Sequence, residues 1–255
     1  MSDATTVQDV DNVRWVRFDR PTKRNALRVE DVEVVRAAVR QAPDDCRCIV
    51  FSGCNGHFSA GADVTDFSGA SMGTLEVGVS SPGQMLLQEV RTCPRPTVAA
   101  IEGYCVGIAM DLTAVCDIRV ASRSARFSMP EVKIGIPVIG DASLFERYIG
   151  LARSKEMLLT GGWYSAEQMN DWGYLNQLTE VGGAEEAAGV YAKQLSGLPP
   201  RTIAAQKRIF EAWLQLPHRE AHRVSVLEYA VTVAHPETAE WIAQFQASRR
   251  GGKKS

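Results

Sequence analysis

Three stretches of this chain hold residue types suited to stabilising negative charge and moving protons. Phe58-Ser59-Ala60-Gly61-Ala62-Asp63 follows an apolar run. Its small residues let the backbone come close to a ligand, and amides left free after a strand can aim at an oxygen. The same residues also read as a tight turn with Asp63 capping the next helix. Gly103 to Leu112 runs from a glycine turn into an apolar helix, and free N–H groups at a helix start favour negative charge. Asp111 lies one turn inside that helix. An unpaired buried carboxylate is costly, so Asp111 is either hydrogen-bonded structure or a working acid. Glu131 follows Pro130 in the apolar-glycine loop Phe127 to Pro137. It is either a proton-transfer group or a surface carboxylate paired with Lys133 or Arg126.

The elements that must position these residues alternate short β-rich runs with helical ones. Val13 to Phe18 alternates as a half-buried strand, and Arg20 to Asn25 breaks it as a loop. Val29, Val32, Val35 and Val39 mark one face of a helix between Leu27 and Gln41, stopped by Pro43. Cys48 to Gly53 is a buried strand, Pro82 to Thr92 a helix, and Thr97 to Ile101 a strand. Gly103 to Val115 is a turn running into a helix, and Asp117 to Ala121 a further strand. Ser165-Ala166-Glu167-Gln168 has the spacing of a capping box that opens a helix ending at Gly173. This order predicts an α/β fold with crossover helices. Past Leu198-Pro199-Pro200 only helical patterns follow: 201–215, 218–233 and 236–248. Ile209, Trp213, Leu227, Trp241 and Phe245 in those helices need a surface to pack on, in their own core or in another subunit.

Composition excludes several function classes. At 255 residues, 45% hydrophobic and 23% charged, the chain can bury a large core. A net charge of −2 supplies no basic field for nucleic acid. Neither a signal peptide nor an 18-residue apolar span is visible, so a cytoplasmic protein with no membrane partner is expected. The six cysteines form no Cys-x-x-Cys pair and read as reduced thiols. His218 and His222 share a helical face, with no Glu between them and no third ligand, so no metal site is expected.

Taken in order and spacing, these segments resemble the crotonase, or enoyl-CoA hydratase/isomerase, superfamily. Arg20-Pro21-Thr22-Lys23-Arg24-Asn25-Ala26-Leu27 is similar to its N-terminal signature, and Phe58 to Asp63 to its first oxyanion-hole segment. Cys116 to Ala121 and Met157-Leu158-Leu159-Thr160-Gly161 match further landmarks, and the likeness runs from about residue 10 to about residue 248. It implies a spiral of ββα repeats over residues 1–197 and a helical oligomerisation region over 198–255, building a homotrimer or a hexamer. It further implies an acyl-CoA thioester as substrate, no metal or redox cofactor, and stabilisation of a thioester enolate. Carried over by position, the oxyanion amides are those of Ala60 and Ile108, and Asp111 and Glu131 are the two acids. Lys23, Arg24 and the segment Ala60, Gly61, Ala62 and Asp63 would line the CoA.

Three departures bear on the reaction. Ile108 stands where the family commonly has glycine, so a β-branched side chain crowds the thioester. Asp111 stands where hydratases usually have Glu, as in the dienoyl-CoA isomerase branch. That branch carries a further Asp eight positions past its Glu, where this chain has Ile139. Asp141, ten places after Glu131, is either a third pocket acid or an N-cap for a helix beginning near Ala142. The leading expectation is hydration of a 2-enoyl-CoA to a 3-hydroxyacyl-CoA. Double-bond isomerisation and a catalytically silent acyl-CoA-binding module are the alternatives.

Overall fold

The computed structural model describes residues 4–67 and 81–251. It opens on a hairpin, β1 (Thr5–Val10) and β2 (Val13–Phe18), turned at Asp11 and Asn12. Both turn residues have positive φ, 49° and 64°. That geometry matches the twist of a two-residue hairpin, and Asp and Asn tolerate it. In α1 (Val29–Arg40), Asp31 accepts the backbone N–H of Arg28 at 3.0 Å and closes the helix start. Val32, Val35 and Val39 are buried as the spacing predicts, whereas Val29, in the first turn, is 55% exposed.

Next come β3 (Cys48–Gly53), α2 (Pro82–Thr92), β4 (Thr97–Ile101), β5 (Tyr104–Val106) and α3 (Ile108–Val115). They are followed by β6 (Ile118–Ser122), β7 (Arg126–Ser128) and two 3-10 turns, Glu131–Ile134 and Gly140–Leu144. Then α4 (Phe145–Ile149), α5 (Leu151–Thr160), β8 (Tyr164–Ser165), α6 (Ala166–Asp171) and β9 (Gln177–Thr179) lead to α7 (Ala184–Ser196). The expected capping box forms: Ser165 Oγ accepts Gln168 N–H at 3.2 Å, and Gln168 returns the bond at 2.9 Å. The chain ends in α8 (Pro200–Gln215), α9 (His218–Val233) and α10 (Pro236–Gly251).

The strands form a six-stranded sheet in the order β1-β2-β3-β4-β6-β9, parallel from β2 onward, and a three-stranded sheet β5-β7-β8. Pairing shows how the chain winds. In the large sheet Val50 lies beside Val98, and Val98 beside Ile118. In the small sheet Ser59 bridges to Cys105, and Cys105 pairs with Phe127. Each turn therefore leaves a strand in the large sheet and an extended segment in the small one before the chain moves into a helical element. This is the expected spiral of ββα turns. As a consequence, segments 58–63, 103–111 and 127–131 lie next to one another.

Both faces of the large sheet are covered, which explains the uninterrupted apolar run Cys48-Ile49-Val50-Phe51. Ile49 and Phe51 join a core with Phe18, Phe58, Leu87, Met110 and Phe127. Cys48 and Val50 face the other way, where Ala184, Ala188 and Ala192 of α7 pack on them. Beyond α7, the helical region leaves Trp213, Leu227, Tyr229 and Phe245 more than half exposed. Among the described residues no helix is long and apolar enough to cross a membrane.

Candidate active site

The first loop of the site is held by its own buried polar atoms. Arg20 pairs with Asp63 at 2.6 Å, and the Thr65 hydroxyl and amide donate to the other carboxylate oxygen at 2.7 and 3.1 Å. The bonds from Thr65, with the Arg20 pairing, hold the Asp63 carboxyl down to about 2. Asp63 is therefore a structural acid, as the turn reading expects. Its side chain is held by Arg20 and Thr65.

Hydrogen-bond directions also correct the first oxyanion amide. The N–H of Ala60 donates to the Arg24 carbonyl at 2.9 Å, so it cannot also receive a ligand oxygen. Leu27 and Ala62 form a parallel bridge in which Leu27 N–H donates to Gly61 O and Asp63 N–H donates to Leu27 O. That pattern turns the Ala62 N–H away from Leu27, and it has no partner among the described residues. Ala62, not Ala60, offers the free amide. The loop is pressed against the next turn of the spiral: a Cβ on Gly61, at φ +88°, would lie 2.5 Å from the Val106 carbonyl oxygen.

The second amide belongs to Ile108, whose N–H at the start of α3 likewise has no partner among the described residues. Gly107, just before it, has φ 56° and ψ −130°, and donates to the Ser128 carbonyl at 3.0 Å. Only glycine reaches that conformation easily. A Cβ there would also lie 2.6 Å from Glu131 Oε1. Gly107→Ala is accordingly expected to cost about 1–3 kcal/mol and to displace the Glu131 carboxyl. Thermal melts and steady-state rates check this, and a variant with unchanged Tm and turnover would refute the close approach.

The rest of α3 is anchored from its far end. Arg119, itself buried, donates to Cys116 O at 2.7 Å, Thr113 O at 3.3 Å and Tyr174 O at 2.8 Å. A guanidinium on the last carbonyls suits the negative end of a helix. The Thr113 hydroxyl meets the Tyr174 hydroxyl at 2.7 Å. Asp111 thus stands on a rigid helix.

Two buried carboxyls stand in this frame, near enough for Asp111 to feel the charge of Glu131. Asp111 Oδ1 and Glu131 Oε2 are both buried without a hydrogen-bond partner among the described residues. Burial pushes Asp111 well above the ordinary carboxylate range, and the charges of Glu131 and Asp141 push it further. Burial also raises Glu131. The surface-pair alternative for Glu131 does not form, because Lys133 donates instead to the Gly161 carbonyl. Asp141 is not a cap. It sits inside the first turn of Gly140–Leu144 and pairs with Arg91 at 3.3 Å.

Lys23 and Arg24 are exposed at the loop that meets Ala60, with the Arg24 guanidinium 4.8 Å above the Tyr104 ring. Burial raises the cysteine thiols, Cys116 to about 12. No cluster of three or more metal-ligating side chains occurs among the described residues.

Sequence reasoning missed Ala62 as a donor, since nothing in residue type separates it from Ala60 two positions earlier. It also missed Arg91, which looks like any helix-surface arginine until Asp141 is placed beside it.

The chain matches the model of the enoyl-CoA hydratase/isomerase family over residues 9–249. It is 31% identical to a carnitinyl-CoA dehydratase of Salmonella heidelberg, covering 92% of each chain. It is 29% identical to a mevalonyl-coenzyme A hydratase of Beauveria bassiana, over 82% of this chain and 79% of that one. A solved enoyl-CoA hydratase from Bacillus anthracis shares the fold, with a TM-score of 0.90 at 23% identity, covering 96% of this chain and 97% of that one. Spiral winding, paired acids and this match together make the chain a member of the enoyl-CoA hydratase/isomerase family of the crotonase superfamily.

Proposed function

We propose that the protein hydrates a 2-enoyl-CoA to a 3-hydroxyacyl-CoA. The observation that carries this reading is two buried carboxyl oxygens with no partner among the described residues, Asp111 Oδ1 and Glu131 Oε2, with the free amides of Ala62 and Ile108 offered by the same and neighbouring segments. The thioester oxygen is received by those amides, each contributing about 3 kcal/mol as charge builds on it. Water placed between the carboxyls gives its proton to the ionised member of the pair as its oxygen bonds to C3. The electron pair of the double bond moves onto the thioester oxygen. Collapse of that enolate takes a proton at C2 from the protonated member. Burial and the nearby Glu131 charge raise Asp111 well above its ordinary range, which favours it as the protonated member. No redox or metal step is needed.

The two relatives act on carnitinyl- and mevalonyl-CoA by their names, which supports a hydratase or dehydratase direction on a short acyl-CoA. Lys23 and Arg24 are proposed contacts for the CoA phosphates. The exposed apolar side chains of α8 to α10 are proposed to close against other copies in a homotrimer or hexamer. Buried thiols suit a reducing, cytoplasmic compartment.

Ile108 separates this reading from its rivals. Its Cδ1 fills the space a Cβ on Gly83 would need, at 2.5 Å, so the side chain closes the gap between α3 and α2. Ile108→Gly keeps the donor and opens that space. Bulkier enoyl-CoAs should then be accepted, at about 1 kcal/mol of stability. Both proteins are to be given a short and a branched 2-enoyl-CoA, with products read by mass. Gain of one water by the parent supports the hydratase. An unchanged mass with a moved double bond establishes the isomerase that the shorter Asp111 favours. An inactive parent with an active variant identifies a silent binder.

A further inference from the structure

We infer that Arg91 is a positioning residue for the acid pair: it holds Asp141 against α2 and so sets how much negative charge Asp111 faces. Three carboxyl groups from three elements bear on Asp111's environment. Asp111 comes from α3, Glu131 from one 3-10 turn and Asp141 from the next. Asp111 feels the charges of both others. Asp141 is well buried, its side chain 12% exposed, and it meets the Arg91 guanidinium at 3.3 Å.

Arg91 is shared. Its Nε lies 3.4 Å from Glu211 of α8, and the same Nε is buried without a hydrogen bond. Glu211 is itself held by Gln215 at 2.9 Å and feels Lys207, which pairs with Asp117. Cys105, which feels Asp111, is a buried thiol raised by burial. One cation therefore stands between an acid that faces the site and an acid of the C-terminal helical region.

The physics gives opposite signs for two substitutions. Removing Arg91 leaves the Asp141 charge uncompensated, which disfavours ionised Asp111. Removing the Asp141 charge favours it. A merely structural pair would change stability in both cases and leave the titration of Asp111 alone.

The inference rests on Asp111 as a working acid, yet its test does not require turnover. Carboxyl carbon-13 NMR of the free protein, with the Asp111 signal assigned by its loss in Asp111→Asn, gives the titration midpoint. Arg91→Gln is expected to move that midpoint up and Asp141→Asn to move it down. Where hydration is measurable, the alkaline limb of the rate profile should move the same way. If Arg91→Gln does not fold, Arg91→Lys takes its place: the charge stays but the fork is lost, so a smaller upward move is expected. Midpoints that stay put, or move together in one direction, overturn the inference. A protein that turns over no enoyl-CoA while the midpoints still diverge would overturn the proposed reaction and leave the role of Arg91 standing.

Discussion

Glu131→Gln is expected to lower kcat by about 10²- to 10⁴-fold, the usual contribution of a positioned general acid or base. Acyl-CoA affinity should stay within a few-fold. Glutamine keeps the shape of the side chain on the 3-10 turn after Pro130, and Gly107 still leaves room for it. What is lost is the proton: an amide neither takes one from water nor returns one to carbon. Stability should hold or rise slightly, because the buried Oε2 has no partner among the described residues to lose. Steady-state kinetics together with equilibrium binding of a non-reactive acyl-CoA measure both halves. Unchanged turnover would remove Glu131 from the chemistry.

Asp111→Asn is the second large effect, with stability and rate moving apart. Turnover should fall by about 10²- to 10⁴-fold, while Tm is kept or raised. A structural acceptor replaced in this way would instead lose about 1–3 kcal/mol. The sign follows from linkage. The folded-state pKa of Asp111 lies above its ordinary value of 3.8. Its contribution to stability is therefore fully present below that value and is lost as pH rises through the folded one. The asparagine variant does not titrate, so its advantage in Tm should grow with rising pH and vanish in acid. Melting curves of both proteins across that range check the trend. A variant less stable at every pH would show that Asp111 is held by bonds it needs.

Much of this frame is legible in the residue pattern. The runs around Ile49 and Thr97, the valine stripe of α1 and the Ser165 box all state their structure locally, because each depends on neighbours close in sequence. The small sheet does not. Its strands are two or three residues long, too short for alternation to register, and they exist only because the spiral stacks them. Hairpin strand β1 is exposed along nearly its whole length beyond Thr5, so no apolar period marks it.

The site divides in the same way. Asp111 and Glu131 stand out because a carboxyl in an apolar setting is rare and costly. The choice between Ala60 and Ala62 rests on which way an amide points. That is decided by Arg24 and Leu27, more than thirty residues earlier in the chain. Asp141 could be noticed in the sequence, but its partner Arg91 and the link to Glu211 depend on how α2 and α8 dock.

Turnover of a short 2-enoyl-CoA in water labelled with both deuterium and oxygen-18 reads the proposed chemistry at both carbons. The product should carry one oxygen-18 at C3 and one deuterium at C2, and Glu131→Gln should form it at least about a hundredfold more slowly. Deuterium entering the acyl chain without any labelled oxygen, or labelled product formed equally fast by Glu131→Gln, would contradict hydration by the Asp111–Glu131 pair.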